Sequence, residues 1–136
     1  MFADAAPYLV ASEASLEALN RELAARALSP VPMNRFRPNV VVRGLAAFQE
    51  HEVAMLSGTG YALRFRAPCE RCVVTTINQD TAERDPQRQP FRTLVDINPM
   101  PGNPRGPAFA ENATLEAGNG AMIAVGDRLQ AMRSAQ

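Results

Sequence analysis

Lysine is missing from this 136-residue chain, and all fourteen basic residues are arginine. The absence excludes a lysine Schiff base, and with it covalent pyridoxal phosphate chemistry by this chain. It leaves guanidinium forks as the permanently charged donors, which suit phosphate and carboxylate through bidentate geometry; arginine-rich codon usage accounts for the same composition. Cysteine is scarce, with only Cys69 and Cys72. A disulfide between them would close a short loop and remove little chain entropy. A structural zinc site takes about four ligands, and the chain offers one histidine beyond the pair. No apolar run approaches the roughly 20 residues of a membrane-spanning helix, and the start, Met1 to Pro7, carries no cationic segment of a secretory signal. A cytoplasmic location with reduced thiols is the expectation, without membrane association. Formal net charge is zero, so the whole-chain field draws in neither nucleic acid nor anionic lipid, and any anion must be held locally.

What is present favours a folded chain: 46% hydrophobic and 21% charged residues, in a length that suits one domain, here residues 1–136. Ser12 to about Ala27 reads as the clearest helix, with Ser12 as cap, Glu13 at the positive end, and Leu16, Leu19, Leu23 and Ala27 at helical spacing. Ser29-Pro30-Val31-Pro32 is expected to end it. Val40 to Arg43 reads as a strand broken by Gly44, and Ala46 to Met55 fits either a short helix or an irregular strand before the turn Ser57-Gly58-Thr59-Gly60. Tyr61 to Arg66 alternates as a half-buried strand that Pro68 should stop, and Val73 to Ile77 is another strand. Asn78 to Pro90 is a polar loop, and Phe91 to Val95 is one or two helical turns. The proline-rich stretch Asn98 to Pro107 is expected to be a long surface loop. Gly118-Asn119-Gly120 predicts a hairpin between Ala113–Glu116 and Ala121–Val125, with a turn or bulge at Gly126-Asp127. The sum is a mostly-β chain with helices, a small barrel with helices packed on it.

Two phrases carry the candidate chemistry. Pro68-Cys69-Glu70-Arg71-Cys72 sets both thiols at the mouth of a β-branched run. The strand-forming residues after Cys72 argue against a thioredoxin-like dithiol, which starts a helix. A single thiolate ligand for a soft metal remains, beside the plain alternative of two buried cysteines filling core volume. In extended chain, residues three apart face opposite ways, and Cys72 is the better placed, with Arg71 and Arg37 favouring its thiolate. In the second phrase, Arg35-Phe36-Arg37-Pro38-Asn39, extended geometry would put both arginines on one face and Phe36 in the core, with Asn39 offering an amide; an exposed arginine pair on a strand edge is the alternative. His51, between Glu50 and Glu52, reads as solvated rather than as a general base. Asp80, Glu83 and Asp85 lack the glycine and closing glutamate of a calcium loop and read as solvated charge.

Together these phrases resemble the MOSC domain, the molybdenum-cofactor sulfurase C-terminal type, in the branch of the amidoxime-reducing enzymes and bacterial N-hydroxylated-base reductases. The resemblance runs through Phe2 to Pro7, Ser12 to Leu16 with Leu19-Asn20, Asn34 to Val42, Cys69 to Ile77 and Ile123 to Asp127. It implies a β-barrel domain binding a molybdopterin-type cofactor, with Cys72 as the protein thiolate on molybdenum, Arg37 and Asn39 at the pterin and phosphate region, and Asp4 and Asn112 near the cofactor. Related enzymes carry a further region before the Asp-x-x-Pro phrase of residues 4–7, so the barrel is expected to be incomplete at its N-terminal side.

The resulting expectation is a molybdenum-cofactor domain of an oxidoreductase that reduces N-hydroxylated or related oxidised small molecules with an external electron donor protein. The competing readings are a carrier of cofactor or of sulfur without turnover, and a truncated domain that keeps the fold without the chemistry. A homo-oligomer or a completing N-terminal polypeptide would supply the rest of the barrel.

Overall fold

Alternation builds the first strand. In the computed structural model, which describes residues 8–71, 88–118, 120 and 122–134, Tyr8–Ser12 form β1. Leu9 and Ala11 pack into one apolar cluster and Val10 into another, so successive side chains serve opposite faces of the strand. The sequence reading gave no strand here. The reason is that β1 runs straight into helix α1, Glu13–Ala25, with no turn between them.

Ser12 occupies the capping position of α1, but its side chain makes no capping bond, and its buried Oγ has no partner among the described residues. Packing holds α1 instead: Ser15, Leu19 and Leu23 are fully buried. The helix also ends before the proline segment expected to stop it. Ala27 takes a left-handed conformation, φ 60°, while Leu28 N–H donates to Leu23 O at 2.8 Å and Ala27 N–H to Ala24 O at 3.0 Å. This is a Schellman closure with alanine where glycine is usual, and Leu23 and Leu28 share the same apolar cluster.

The remaining strands are β2 Val40–Val42, β3 Val53–Gly58, β4 Tyr61–Glu70, β5 Pro99–Met100, β6 Asn103–Ala117 and β7 Gln130–Arg133, with helix α2 at Phe91–Ile97. Hydrogen bonding orders the sheet β2-β1-β6-β4-β3-β7, with β5 paired to β6. Among the described strands only β1 and β2 run parallel. The sheet curls as half a barrel around Val10, Val53, Leu56, Leu63, Phe65 and Ala113. The other cluster, with Phe36, Leu94 and Phe109, lies where α1 and α2 cover the sheet. Among the described residues β2 and β7 are free edges. The fold is thus mostly strand with two helices, an incomplete barrel as expected.

Several local expectations need correction. Pro68 does not stop its strand: β4 continues to Glu70, with register shifts on both sides of Pro68, where a proline costs the ladder little. Asn98 to Pro107 is not a loop. It contains β5 and the start of β6: a proline carbonyl still accepts, as Pro107 O does from Arg71 N–H at 2.8 Å, and the non-proline Asn98 O accepts from Ala108 N–H at 2.8 Å. The hairpin expected around Gly118-Asn119-Gly120 does not form as drawn. β6 runs on to Ala117, the described part of Ala121–Val125 is not strand, and the following strand, β7, pairs with β3. The ambiguous stretch 46–55 resolves into a short 3-10 turn, Gln49–Glu52, and the start of β3. The turn at Gly126-Asp127 is present, with Asp127 Oδ2 accepting from Ala124 N–H at 3.0 Å and from the Tyr61 hydroxyl at 2.8 Å. The strand expected at Val73 to Ile77 and the acidic loop of Asp80, Glu83 and Asp85 lie outside the described residues.

Candidate functional site

Arg35 to Asn39 is not extended. Met33–Phe36 form a 3-10 turn, and Arg37 closes it in the left-handed region at φ 55°. The two arginines therefore do not share a strand face, and Arg37 stands exposed. Phe36 does enter the core as expected, stacking on Phe109 with centroids 4.0 Å apart. Asn39 ties the segment down: its backbone N–H donates to Leu9 O at 2.8 Å, and its Oδ1 accepts from Leu9 N–H at 2.6 Å. The carbonyl of that side chain is spent on joining β1 to the entry of β2, which leaves its NH2 group for a ligand.

Register carries the arrangement across the sheet. Leu9 is paired with Asn112 of β6, and Asn112 with Ala67 of β4. Asn39 and Asn112 thus lie two strand spacings apart, about 10 Å, with Asn112 partly buried. At the end of β4, Arg71 reaches back over this region. Its guanidinium lies 5.6 Å from the centroid of the Phe36 ring, donates to Phe36 O at 2.8 Å, and donates to Cys69 Sγ at 3.2 Å. Its Nε is buried and has no partner among the described residues. Arg71 was expected beside the Cys72 thiol, and the sulfur it contacts in the described structure is that of Cys69. Cys72 and Asp4 lie outside the described residues. Arg37 follows the Phe36 carbonyl that Arg71 holds, Asn39 and Asn112 flank Leu9 in one register row, and Cys69 and Arg71 stand at the end of β4, directly before Cys72 in the chain.

A second polar group escaped the sequence reading. His51, expected to be solvated, is half-buried, and its Nδ1 lies 2.6 Å from Glu111 Oε2. Its Nε2 lies 3.1 Å from Asn98 Nδ2, and that same amide nitrogen donates to Ala108 O at 2.9 Å. Because a carbonyl only accepts, Asn98 must turn its NH2 group this way; His51 Nε2 is then the acceptor and Nδ1–H the donor to Glu111. Next to it, the fully buried Glu50 accepts from Ser15 Oγ at 2.9 and 2.8 Å, and Ser15 Oγ accepts from Phe48 N–H at 2.8 Å. Burial pushes the Glu111 carboxyl above its ordinary value of 4.5, with the Glu50 charge adding to the rise and the His51 hydrogen bond opposing it. The spacing of Ser15, Glu50, His51 and Glu111 shows no periodicity that would reveal the network. The one available cue was the pair of acids flanking a lone histidine.

Residues 1–130 match the MOSC domain family. The chain belongs to this family. Among its relatives, mouse mitochondrial amidoxime-reducing component 1 is 38% identical over 93 residues, covering 68% of this chain and 26% of the relative. The human protein of the same name is 31% identical over 131 residues, 93% of this chain and 37% of the relative. A molybdenum cofactor sulfurase of Drosophila yakuba is 38% identical over 55 residues, 40% of this chain and 7% of the relative. This MOSC chain therefore spans well under half the length of these curated relatives.

Proposed function

We propose that the chain is the molybdenum-cofactor-binding part of an oxidoreductase that reduces N-hydroxylated small molecules. The observation that supports the reading is the tie from Arg71, the residue before Cys72, to the Phe36 carbonyl at the Arg37 turn, with Asn39 and Asn112 in one register row, in a chain of the MOSC family. The donor chemistry fits such a cofactor. Among the described residues Arg37 makes no ion pair and the buried Arg71 Nε has no partner, and guanidinium forks match phosphate oxygens.

Arg37 and the NH2 group of Asn39 would hold the phosphate and pterin edge, Asn112 and Asp4 would approach from β6 and the N-terminal segment, and Cys72 would be the thiolate ligand. When bound, the molybdenum cofactor supplies oxygen-atom transfer with a two-electron change, which requires electrons from an external donor protein. The chain's own work is to fix orientation. Arg71 clamps the Phe36 carbonyl, so the Arg37 turn and the end of β4 are held in register. The edges β2 and β7, free among the described residues, support completion of the barrel by further polypeptide, in the same molecule, a partner, or a second copy.

No helix among the described residues is long and apolar enough to cross a membrane. The amidoxime-reducing relatives are named as mitochondrial, so an organellar location stands beside the cytoplasmic one read from the sequence. The contact between Arg71 and the half-buried Cys69 sulfur favours one second reading, sulfur carriage on a cysteine persulfide. The test is the molybdenum and pterin content of the chain purified from a cofactor-producing host, beside Cys72→Ser. Near-stoichiometric metal, lost in a folded Cys72→Ser variant, supports the proposal. Equal metal in both proteins overturns the ligand assignment, and a persulfide on a metal-free chain, seen by mass spectrometry, moves the assignment to sulfur carriage.

A further inference from the structure

A cavity of about 590 Å³ opens between the C-terminal end of α1, helix α2 and the β5–β6 hairpin. Four of its nine lining residues are arginine, against one acid, Asp96. That acid is already engaged: Arg26 Nη1 lies 2.8 Å from Asp96 Oδ2, while Arg26 Nε lies 2.9 Å from Glu22. The other three cations, Arg88, Arg92 and Arg105, are exposed and make no ion pair among the described residues. Three exposed guanidinium groups on one concavity, none of them ion-paired among the described residues, set up a local positive field that attracts an anion, and in a chain of zero net charge no general excess of cations explains their meeting here.

The cavity is not a site for a bare ion. Its volume falls in the range of drug-sized ligands, on the order of 300–1,000 Å³, and Phe91, Val95 and Pro104 add apolar wall. Arg88 is pre-ordered for contact with a ligand: its guanidinium lies 5.7 Å from the Phe91 centroid, and its backbone is held in the left-handed region at φ 57°, an unfavourable conformation for a residue with a side chain. α2 is held against the body of the protein by the buried Thr93 and Leu94, so the arginines stand on a fixed support. None of these residues belongs to the group proposed above to hold the cofactor.

We propose that this cleft binds a second, phosphoryl-bearing small molecule, its phosphate oxygens shared by the Arg88, Arg92 and Arg105 forks and its body lying along Phe91, Val95 and Pro104. Phosphate suits the site better than a single carboxylate because several forks can each take two oxygens of a di- or triphosphate. The inference stands whether or not the chain carries molybdenum.

The experiment is calorimetric titration of the purified chain, before any cofactor loading, with inorganic pyrophosphate, ADP and citrate, in parallel with Arg92→Ala and Arg105→Ala. Both arginines are exposed, and circular dichroism confirms that the variants fold. The proposal expects saturable binding of pyrophosphate or ADP that weakens with added salt and falls by at least about tenfold in each variant, the loss of one charge-assisted bidentate contact. ADP binding tighter than pyrophosphate would show the apolar wall in use, and pyrophosphate binding tighter than ADP would show recognition of the phosphates alone. Absence of saturable binding by either phosphate compound, unchanged affinity in both variants, or citrate binding more tightly than both phosphate probes would overturn it. Because none of these readouts involves molybdenum, failure here and failure of the proposed function are separable.

Discussion

The two polar regions of this molecule are opposites in how their donors and acceptors are matched. Around His51 each hydrogen-bonding role is answered inside the fold: Ser15 bonds to Glu50, His51 bonds to Glu111 and Asn98, and Asn98 bonds back to Ala108. Around Arg37 and Arg71, and again at Arg88, Arg92 and Arg105 in the cleft, cations make no ion pair among the described residues, and one guanidinium nitrogen of Arg71 is buried with no described partner. Burying polar groups is costly unless they are paired. A closed network therefore speaks for architecture, and an open one for something that arrives later. The sequence alone pointed the other way for His51, which has no serine nucleophile motif nearby and sits in a stretch that reads as surface.

The largest effect is expected in the closed region. Glu50→Ala removes the acceptor of a fully buried serine and leaves a void, so the chain should lose about 3 kcal/mol of stability, read from chemical denaturation; metal content per folded molecule should stay unchanged. A loss below about 0.5 kcal/mol would show that water can replace the carboxylate and that the network is not closed.

Next in size is Arg71→Ala, which removes the donor to Phe36 O and to Cys69 Sγ. It should cost about 1–2 kcal/mol of stability and also lower molybdenum content in the cofactor-producing host, a double effect that sets it apart from Glu50→Ala. Should metal content survive intact, Arg71 would belong with the architectural group.

A smaller effect separates the regions by pH. The Glu111 carboxyl binds its proton more tightly folded than unfolded, so its contribution is fully present below about its ordinary value of 4.5 and is lost as pH rises through the raised folded value. Glu111→Gln keeps a hydrogen-bonding group against His51 and removes the titration. The variant should gain stability relative to the parent as pH climbs from 4.5, while Arg37→Gln should leave the pH profile unaltered. Parallel profiles for Glu111→Gln and its parent would contradict the burial argument.

The smallest expected effect is a backbone control that removes none of these polar groups. Ala27 sits at φ 60° where the α1 closure needs a left-handed residue, and Ala27→Gly should raise stability by about 0.5–1 kcal/mol. A decrease in midpoint would mean that unfolded-chain entropy outweighs the relief of strain.

How much of this could be read from residues alone divides along the same line. Periodicity disclosed α1 and most of β4, because a buried face repeats at a fixed spacing, and a β-branched run ended by Gly44 disclosed β2. The phrases Arg35 to Asn39 and Cys69 to Cys72 disclosed the candidate site and, through their order, the family. Periodicity could not disclose β1, which shares Ser12 with the start of a helix, or the pairing of proline carbonyls that makes Asn98 to Pro107 part of the sheet. It also could not disclose contacts set by long separation. Ser15 meets Glu50 across 35 residues, His51 meets Glu111 across 60, and Arg26 meets Asp96 across 70. The arginine cleft was hidden for the same reason, since its members come from both sides of α2 and from a stretch that reads as loop.

Arg71 has a consequence in time as well as in space. Its backbone N–H is bonded to Pro107 O, and its side chain holds Phe36 O and the Cys69 sulfur, so one residue splices three segments where the chain passes into Cys72. The mouth of the cysteine motif cannot then open one strand at a time: the 3-10 turn, the end of β4 and the start of β6 must release together. The deuterium uptake of the Arg71 amide becomes a clock for that joint release, and a bound ligand that grips any one of the three segments should slow it for all.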